Sequence, residues 1–330
     1  MAVEPKTQAF LDQLAAAGGP PIYTLAPQAA RDVLLQVQAG NVPKAPAEIE
    51  DATFPVGPTG TVPVRILRPS GQMGRLPVVL YFHGGGWILG DREVHDRLAR
   101  DLVSGANVTL VFVDYARAPE ARYPVAIEQG HAVARYVADN ADRLRIDPQR
   151  MAVAGDSAGA TLATVVAMLA KQRNGPTIAY QALFYPVTDA NLDTGSYRQF
   201  AEGYWLTRES MRWFWDAYVP DAARRRDPTV SPLQASRQDL AGMPPTLILT
   251  AEDDVLRDEG EAYAERLAAA GVPVVSVRYN GAIHDFLLLN PLRDTAPTRG
   301  ALEQVCAALR GALHVRTPIA AGARELAPSK

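Results

Sequence analysis

MAVAGDSAGATLATVVAMLA, residues 151–170, sets one serine between two glycines where a short apolar run meets a long one. Residues 151–154 read as a buried strand, and residues 158–171 as a helix with apolar side chains on every face. A chain that leaves a strand and enters a helix within two residues must turn sharply. The residue at the apex, Ser157, is then forced into a strained backbone conformation. Its neighbours must be small, and Gly155, Ala158 and Gly159 meet that demand. Such a turn holds a serine hydroxyl clear of the backbone, where it can serve as a nucleophile. An ordinary tight strand-to-helix turn has the same spacing, so partners elsewhere in the chain must decide.

The 330 residues suffice for a large core, as one α/β domain with insertions or as two domains. A formal net charge of −3 without a dense charge run leaves no footprint for nucleic acid. Cys306 is the single cysteine, so no intrachain disulfide can form, and a cytoplasmic location is expected. MAVEPKTQAFLDQLAAAGGPP, at residues 1–21, carries Glu4 and Asp12 where a signal peptide would be basic and then uniformly apolar. It reads as an amphipathic helix stopped by Gly18-Gly19-Pro20. No run approaches about 18 uninterrupted apolar residues, so no membrane span is expected.

A second helix is predicted at 26–38, and strands at 49–56 and 62–67 flank the turn GPTG in a hairpin-like opening. The pattern then alternates. Strands are expected at 78–82, 108–113, 178–185, 246–251 and 272–279, and helices at 94–104, 124–140, 258–270 and 297–313. Continuous apolar strands alternating with helices predict a mostly parallel sheet covered on both faces. Between Pro186 and Pro245 the rhythm breaks. Eight of the chain's 24 Phe, Trp and Tyr residues fall between Tyr197 and Tyr218. Most are expected to pack this insert against the body, although its position also suits a lid over a cleft. The residues after Val315 have little to pack against.

A serine hydroxyl is a poor nucleophile until a base takes its proton, and that base must be held in one tautomer by a third group. Of the five histidines, His95, His131 and His314 fall in helical segments, where partial exposure is the ordinary outcome. His284 differs, since it follows the strand at 272–279 across the turn Asn280-Gly281-Ala282-Ile283. That places it on a loop at the carboxyl end of a strand, where open α/β sheets carry their ligand sites. The acid should lie between serine and histidine in the chain. Glu252-Asp253-Asp254-Val255-Leu256-Arg257-Asp258 directly follows a strand. Asp258 and Glu259 adjoin the next helix and suit its first turn, and Asp254, nearer the strand end, is the candidate acid. HGGGW, at 83–87, also follows a strand, and its glycines let backbone N–H groups face an oxyanion. A phosphate loop is excluded there, because the stretch has no GxGxxG, no G-K-[ST] and no nearby lysine.

HGGGW at 83–87, DYARAPEARYP at 114–124, GDSAG at 155–159, EDDVLRDEG at 252–260 and IHDF at 283–286 resemble the hormone-sensitive lipase family of microbial carboxylesterases. The resemblance spans about residues 45–313 and implies an α/β-hydrolase fold: a mostly parallel central sheet flanked by helices, with a helical cap. It implies Ser157 as nucleophile, Asp254 as acid, His284 as base, and Gly84, Gly85 and Ala158 as the oxyanion hole. His83, Gly86, Gly155, Asp156 and Gly159 would be structural at the site. The cap would comprise N-terminal helices at 1–45 and the insert at 187–240. The core would be 46–186 and 241–315, with a tail at 316–330. Two departures stand out. The family often reads DYRLAPE where this chain has Asp114-Tyr115-Ala116-Arg117-Ala118-Pro119-Glu120, and Asp285 follows the histidine where glycine is common.

The expected function is hydrolysis of small-molecule esters with short to medium acyl chains, without metal or cofactor. Amide or lactone hydrolysis would use the same machinery. A small-molecule receptor on this fold is the reading from another class; receptors resembling this family lack the histidine, which is present here. A homodimer is compatible with all of this, and nothing in the sequence selects it.

Overall fold

The computed structural model describes residues 2–314, so the tail expected at 316–330 lies outside the described residues. Eight strands form one sheet: β1 (Ala47–Phe54), β2 (Val62–Pro69), β3 (Leu76–Phe82), β4 (Thr109–Val113), β5 (Ile146–Asp156), β6 (Tyr180–Phe184), β7 (Thr246–Asp253) and β8 (Val274–Ile283). Their spatial order is β1-β2-β4-β3-β5-β6-β7-β8. The opening hairpin is antiparallel, with Phe54 opposite Val62, and β2 pairs antiparallel with β4. Every later pairing is parallel.

Around the sheet lie α1 (Pro5–Ala17), α2 (Pro27–Val37), α3 (Asp96–Ala106), α4 (Val125–Asp139), α5 (Ala158–Gln172), α6 (Gly195–Gln199), α7 (Arg208–Tyr218), α8 (Arg237–Leu240), α9 (Arg257–Ala269) and α10 (Ala296–His314). In the layers that flank the sheet, α3 packs with α10 and α4 with α5. Every residue of β3 and of β4 is buried, as is every residue of α5 from Ala158 to Ala170. That is why neither strand alternates and why α5 lacks a polar face: each is covered on all sides. Each buried aliphatic or aromatic side chain contributes about 1.5–3 kcal/mol.

The strand order places the site. From β3 the chain crosses through α3 to β4 on one side, whereas from β5 it crosses through α5 to β6 on the other. The carboxyl ends of β3 and β5 therefore flank a topological switch point, where no crossover covers the sheet edge and a crevice opens. The loop 83–90 follows β3 and Ser157 follows β5. Between β6 and β7 there is no strand among the described residues, only α6, α7, α8 and short turns, as the broken rhythm predicts. No described helix is long and apolar enough to cross a membrane.

Two expectations need correction. The strand expected at 272–279 continues to Ile283, with a register irregularity between Ala251 and Asp253 on its partner β7, so His284 directly follows a strand rather than a turn. His95 and His131 are buried rather than partly exposed, and only His314 is half-buried. Helical periodicity reports which face is apolar; it does not report which polar side chain finds an internal partner.

Candidate active site

Ser157 has φ 53° and ψ −122°, outside the regions open to ordinary residues, between the end of β5 and the first turn of α5. Its N–H donates to the Phe184 carbonyl at 2.9 Å, which ties the apex to β6. The flanking glycines are needed because other backbone lies against them. A Cβ on Gly155 would sit 2.6 Å from the Phe82 carbonyl oxygen, and one on Gly159 would strike the Phe82 and His83 carbonyls. The end of β3 thus runs against the elbow with no room for a methyl group.

His284 Nε2 lies 2.9 Å from Ser157 Oγ, and its Nδ1 lies 2.7 Å from Asp254 Oδ2. The other Asp254 oxygen accepts the Leu256 N–H at 3.0 Å, which fixes the carboxylate plane. All three side chains are buried. In the neutral imidazole, Nδ1–H donates to Asp254 and Nε2 is left to accept the serine hydroxyl proton. Burial works against a charge on His284, but Asp254 and Asp285 outweigh it and push its pKa up to about 9.

The oxyanion loop differs from the expectation at one residue. The Gly84 N–H is donated to Asp156 Oδ1 at 3.0 Å and is therefore occupied. Gly85 and Gly86 have no protein acceptor for their N–H groups among the described residues, and both line the cavity beside Ser157. Gly86, expected to be structural, thus replaces Gly84 as a candidate donor. Ala158 N–H, at the first position of α5, has no intrahelical acceptor four residues back, and the helix dipole adds to its field.

Asp156 explains how the loop is held. Its fully buried carboxylate accepts the Tyr81 hydroxyl at 2.6 Å and the Gly84 N–H at Oδ1, and meets His95 Nε2 at 3.2 Å with Oδ2. Burial works against its charge, but His95 and Tyr81 outweigh that and hold its carboxyl below the usual value. Sequence reasoning placed Asp156 at the site but missed His95 and Tyr81, whose spacing from Ser157 carries no signal. His83 is stacked against Tyr115, with ring centroids 4.1 Å apart, and its Nδ1 lies 2.9 Å from the Gly84 carbonyl. Burial pushes its pKa down to about 3, so it is a neutral donor that braces the loop. The displaced arginine of the 114–124 stretch also serves this loop: Arg117 donates to the Gly90 carbonyl at 2.6 Å. From α2, Arg31 donates to the Ile88 and Ala118 carbonyls and forms a two-point bond with Glu120.

Ser157 and His284 open into a cavity of about 370 Å³. Its walls come from α1 and α2 (Leu11, Leu14, Leu34) and from the segment around α7 (Trp205, Leu206, Phe214). The aromatic residues of the insert therefore divide between two roles. Trp215 and Tyr218 pack on Trp87, at 4.6 and 4.5 Å between centroids, and attach the insert to the body. Tyr204, Trp205 and Phe214 face the cavity. An apolar, concave space with a few convergent polar groups suits a small organic ligand.

Comparison with known proteins agrees with this geometry. A family model described as alpha/beta hydrolase fold matches residues 79–288, well over half of the chain. The carboxylesterase NlhH of Mycobacterium tuberculosis is 42% identical over 271 residues, which cover 81% of this chain and 83% of that protein. An ethyl acetate hydrolase of Pseudomonas putida is 36% identical, with 90% of this chain and 95% of that protein covered. The crystal structure of a thermostable esterase from Pseudomonas putida ECU1011 superposes with a TM-score of 0.94 at 46% identity, covering 96% of this chain and 99% of that one. With the serine, histidine and aspartate joined at the switch point of the same sheet, this chain belongs to the α/β-hydrolase fold family, in its hormone-sensitive-lipase-like branch.

Proposed function

We propose that this protein is a serine carboxylesterase that hydrolyses small esters through an acyl-enzyme intermediate. The observation that carries the reading is the unbroken chain Ser157 Oγ–His284 Nε2–Asp254 at the floor of an apolar cavity. In this reading Ser157 Oγ attacks the ester carbonyl carbon as His284 Nε2 takes its proton. The carbonyl oxygen becomes an oxyanion facing the N–H groups of Gly85, Gly86 and Ala158. His284 then delivers the proton to the departing alcohol oxygen, leaving the acyl group on Ser157. Water repeats the sequence: His284 takes its proton, the hydroxide adds to the acyl carbon, and Ser157 leaves with the proton returned. Asp254 holds the imidazole in the required tautomer and offsets its transient charge.

Residues 1–45 and 187–240 act as the cap in this proposal, since both contribute walls to the cavity. A bounded cavity favours short to medium acyl chains over long ones. A cytoplasmic location fits the single, buried cysteine. The test is a series of p-nitrophenyl esters of increasing acyl length, run on the wild type and on Ser157→Ala. We expect the best turnover at about two to eight carbons and a loss of at least about 10⁴ in kcat for the variant. A fluorophosphonate probe should label Ser157 once per chain, and much more slowly in His284→Ala. Hydrolysis that survives Ser157→Ala, or labelling indifferent to His284, would overturn the proposal.

A further inference from the structure

Asp285 stands where the resembling family commonly has glycine, and its backbone shows why glycine would suit: φ is 62°, in the left-handed region. An aspartate there carries a conformational cost that its side chain must justify. That side chain is buried beside the base. Oδ2 accepts the indole N–H of Trp205 at 2.9 Å, whereas Oδ1 has no hydrogen-bond partner and lies 3.5 Å from His284 Nε2. Trp205 belongs to the insert, lines the cavity, and packs its ring 5.8 Å from Phe10 of α1. One indole thus joins both walls of the cavity to the carboxylate next to the catalytic imidazole.

The charged and titratable surroundings leave Oδ1 little else to act on. Asp254 occupies the opposite, Nδ1 side of His284. The Tyr185 ring stands edge-on to the imidazole at 4.8 Å between centroids, and its hydroxyl finds no side-chain partner. Asp156 and His95 act on Asp285 only through space, with their own mutual contact satisfied. Arg97 spends its guanidinium on the carbonyls of Leu287 and Leu288, on Asn290 and on Asp101. Among the described residues, the cation within reach of Asp285 is therefore His284 when it is protonated.

We propose that Asp285 is a positioning residue for the base, aimed by Trp205 at the Nε2 side of His284, where it steadies the imidazolium and ties the base to the seating of the insert. The inference rests on the esterase reading. An imidazolium forms twice per turnover, when His284 holds the serine proton and when it holds the water proton. A carboxylate beside it favours both moments. The same carboxylate also favours the charged form in the free enzyme, where a proton on Nε2 blocks attack. The two effects oppose one another along the pH axis, and that opposition is a signature that packing alone does not produce.

The experiment measures kcat and kcat/KM against pH for wild type, Asp285→Asn and Trp205→Phe, with p-nitrophenyl butyrate. Asp285→Asn removes the charge, while its side-chain carbonyl can still accept the Trp205 N–H. Its acid limb should move down by about one pH unit, and its alkaline plateau should fall by roughly threefold to tenfold, so that the two profiles converge or cross at low pH. Trp205→Phe keeps the carboxyl group but removes the indole donor that favours its charged form. It should move the limb the same way by a smaller amount, and it carries the test alone should Asp285→Asn not fold. A uniform drop in rate with the limb unmoved, in whichever variants fold, would overturn the inference and leave the esterase reading standing. Absence of ester turnover in the wild type would overturn that reading itself.

Discussion

Removing the Asp156 carboxylate tests how the elbow and the oxyanion loop are joined. Asp156→Ala leaves three buried donors without an acceptor: the Tyr81 hydroxyl, the Gly84 N–H and His95 Nε2–H. Orphaned buried groups cost about 1–3 kcal/mol each. A total of about 4 kcal/mol follows if water recovers part of that, within the range for breaking one side of a buried ion pair. Unfolding entropy near 2.1 cal/mol/K per residue gives about 0.7 kcal/mol per kelvin at this length, so Tm should fall by about 6 °C. Asp156→Asn behaves differently. Its Oδ1 still accepts from Tyr81 and Gly84, while its amide can face a neutral His95 that accepts at Nε2. That variant should lose only about 1–2 kcal/mol, or about 2 °C. The loop that presents Gly85 and Gly86 is released only in the alanine variant. Its kcat should therefore drop by about 10²–10³, the usual effect of losing an oxyanion donor, while KM changes less because the walls supplied by α1, α2 and the insert are untouched. Thermal melts and p-nitrophenyl butyrate kinetics on both variants provide the measurement. An alanine variant that melts with the asparagine variant and keeps its kcat would refute the argument that this carboxylate holds the loop.

Because His284 is pushed up to about 9 in the fold from about 6.5 in the unfolded chain, its stabilisation is complete below about pH 6.5 and is lost as pH rises through about 9. Esterase activity should rise across that same window as the base loses its proton, so melting temperature and kcat/KM should trend in opposite directions; a parallel rise would contradict the assignment. Gly159→Ala puts a methyl group against the Phe82 and His83 carbonyls, which are backbone and cannot swing aside, and should abolish soluble, active protein; normal yield and activity would show that the elbow can relax. Trp215→Ala empties a fully buried site packed at a tilt against Trp87 and should cost about 3–5 kcal/mol, read by denaturant titration.

The strands, the elbow and the order of serine, acid and histidine were legible in the chain because each depends on local rules. Apolar runs bounded by glycine and proline mark buried strands, and a serine between glycines at a strand-to-helix junction allows few backbone solutions. The acid was separable from Asp258 and Glu259 for the same reason: those two lie in the first turn of α9, whereas Asp254 precedes it. Less was legible about backbone donors. Three adjacent glycines look alike as letters, and only the carboxylate of Asp156, which comes from β5, decides that Gly84 is occupied while Gly85 and Gly86 are free.

By itself, then, the sequence determined the α/β layering, the switch from strand to helix at Ser157, and the identity of the three residues that meet there. These follow from periodicity, from steric limits on the backbone, and from the chemistry a serine nucleophile requires. Tertiary structure alone decided the rest. It placed β4 between β2 and β3, which opens the crevice at the ends of β3 and β5. It buried His95 against Asp156 and brought Trp205 to Asp285, pairings separated by 61 and 80 positions in the chain. No periodicity connects residues so far apart; only the packing of the folded chain chooses which buried polar group meets which.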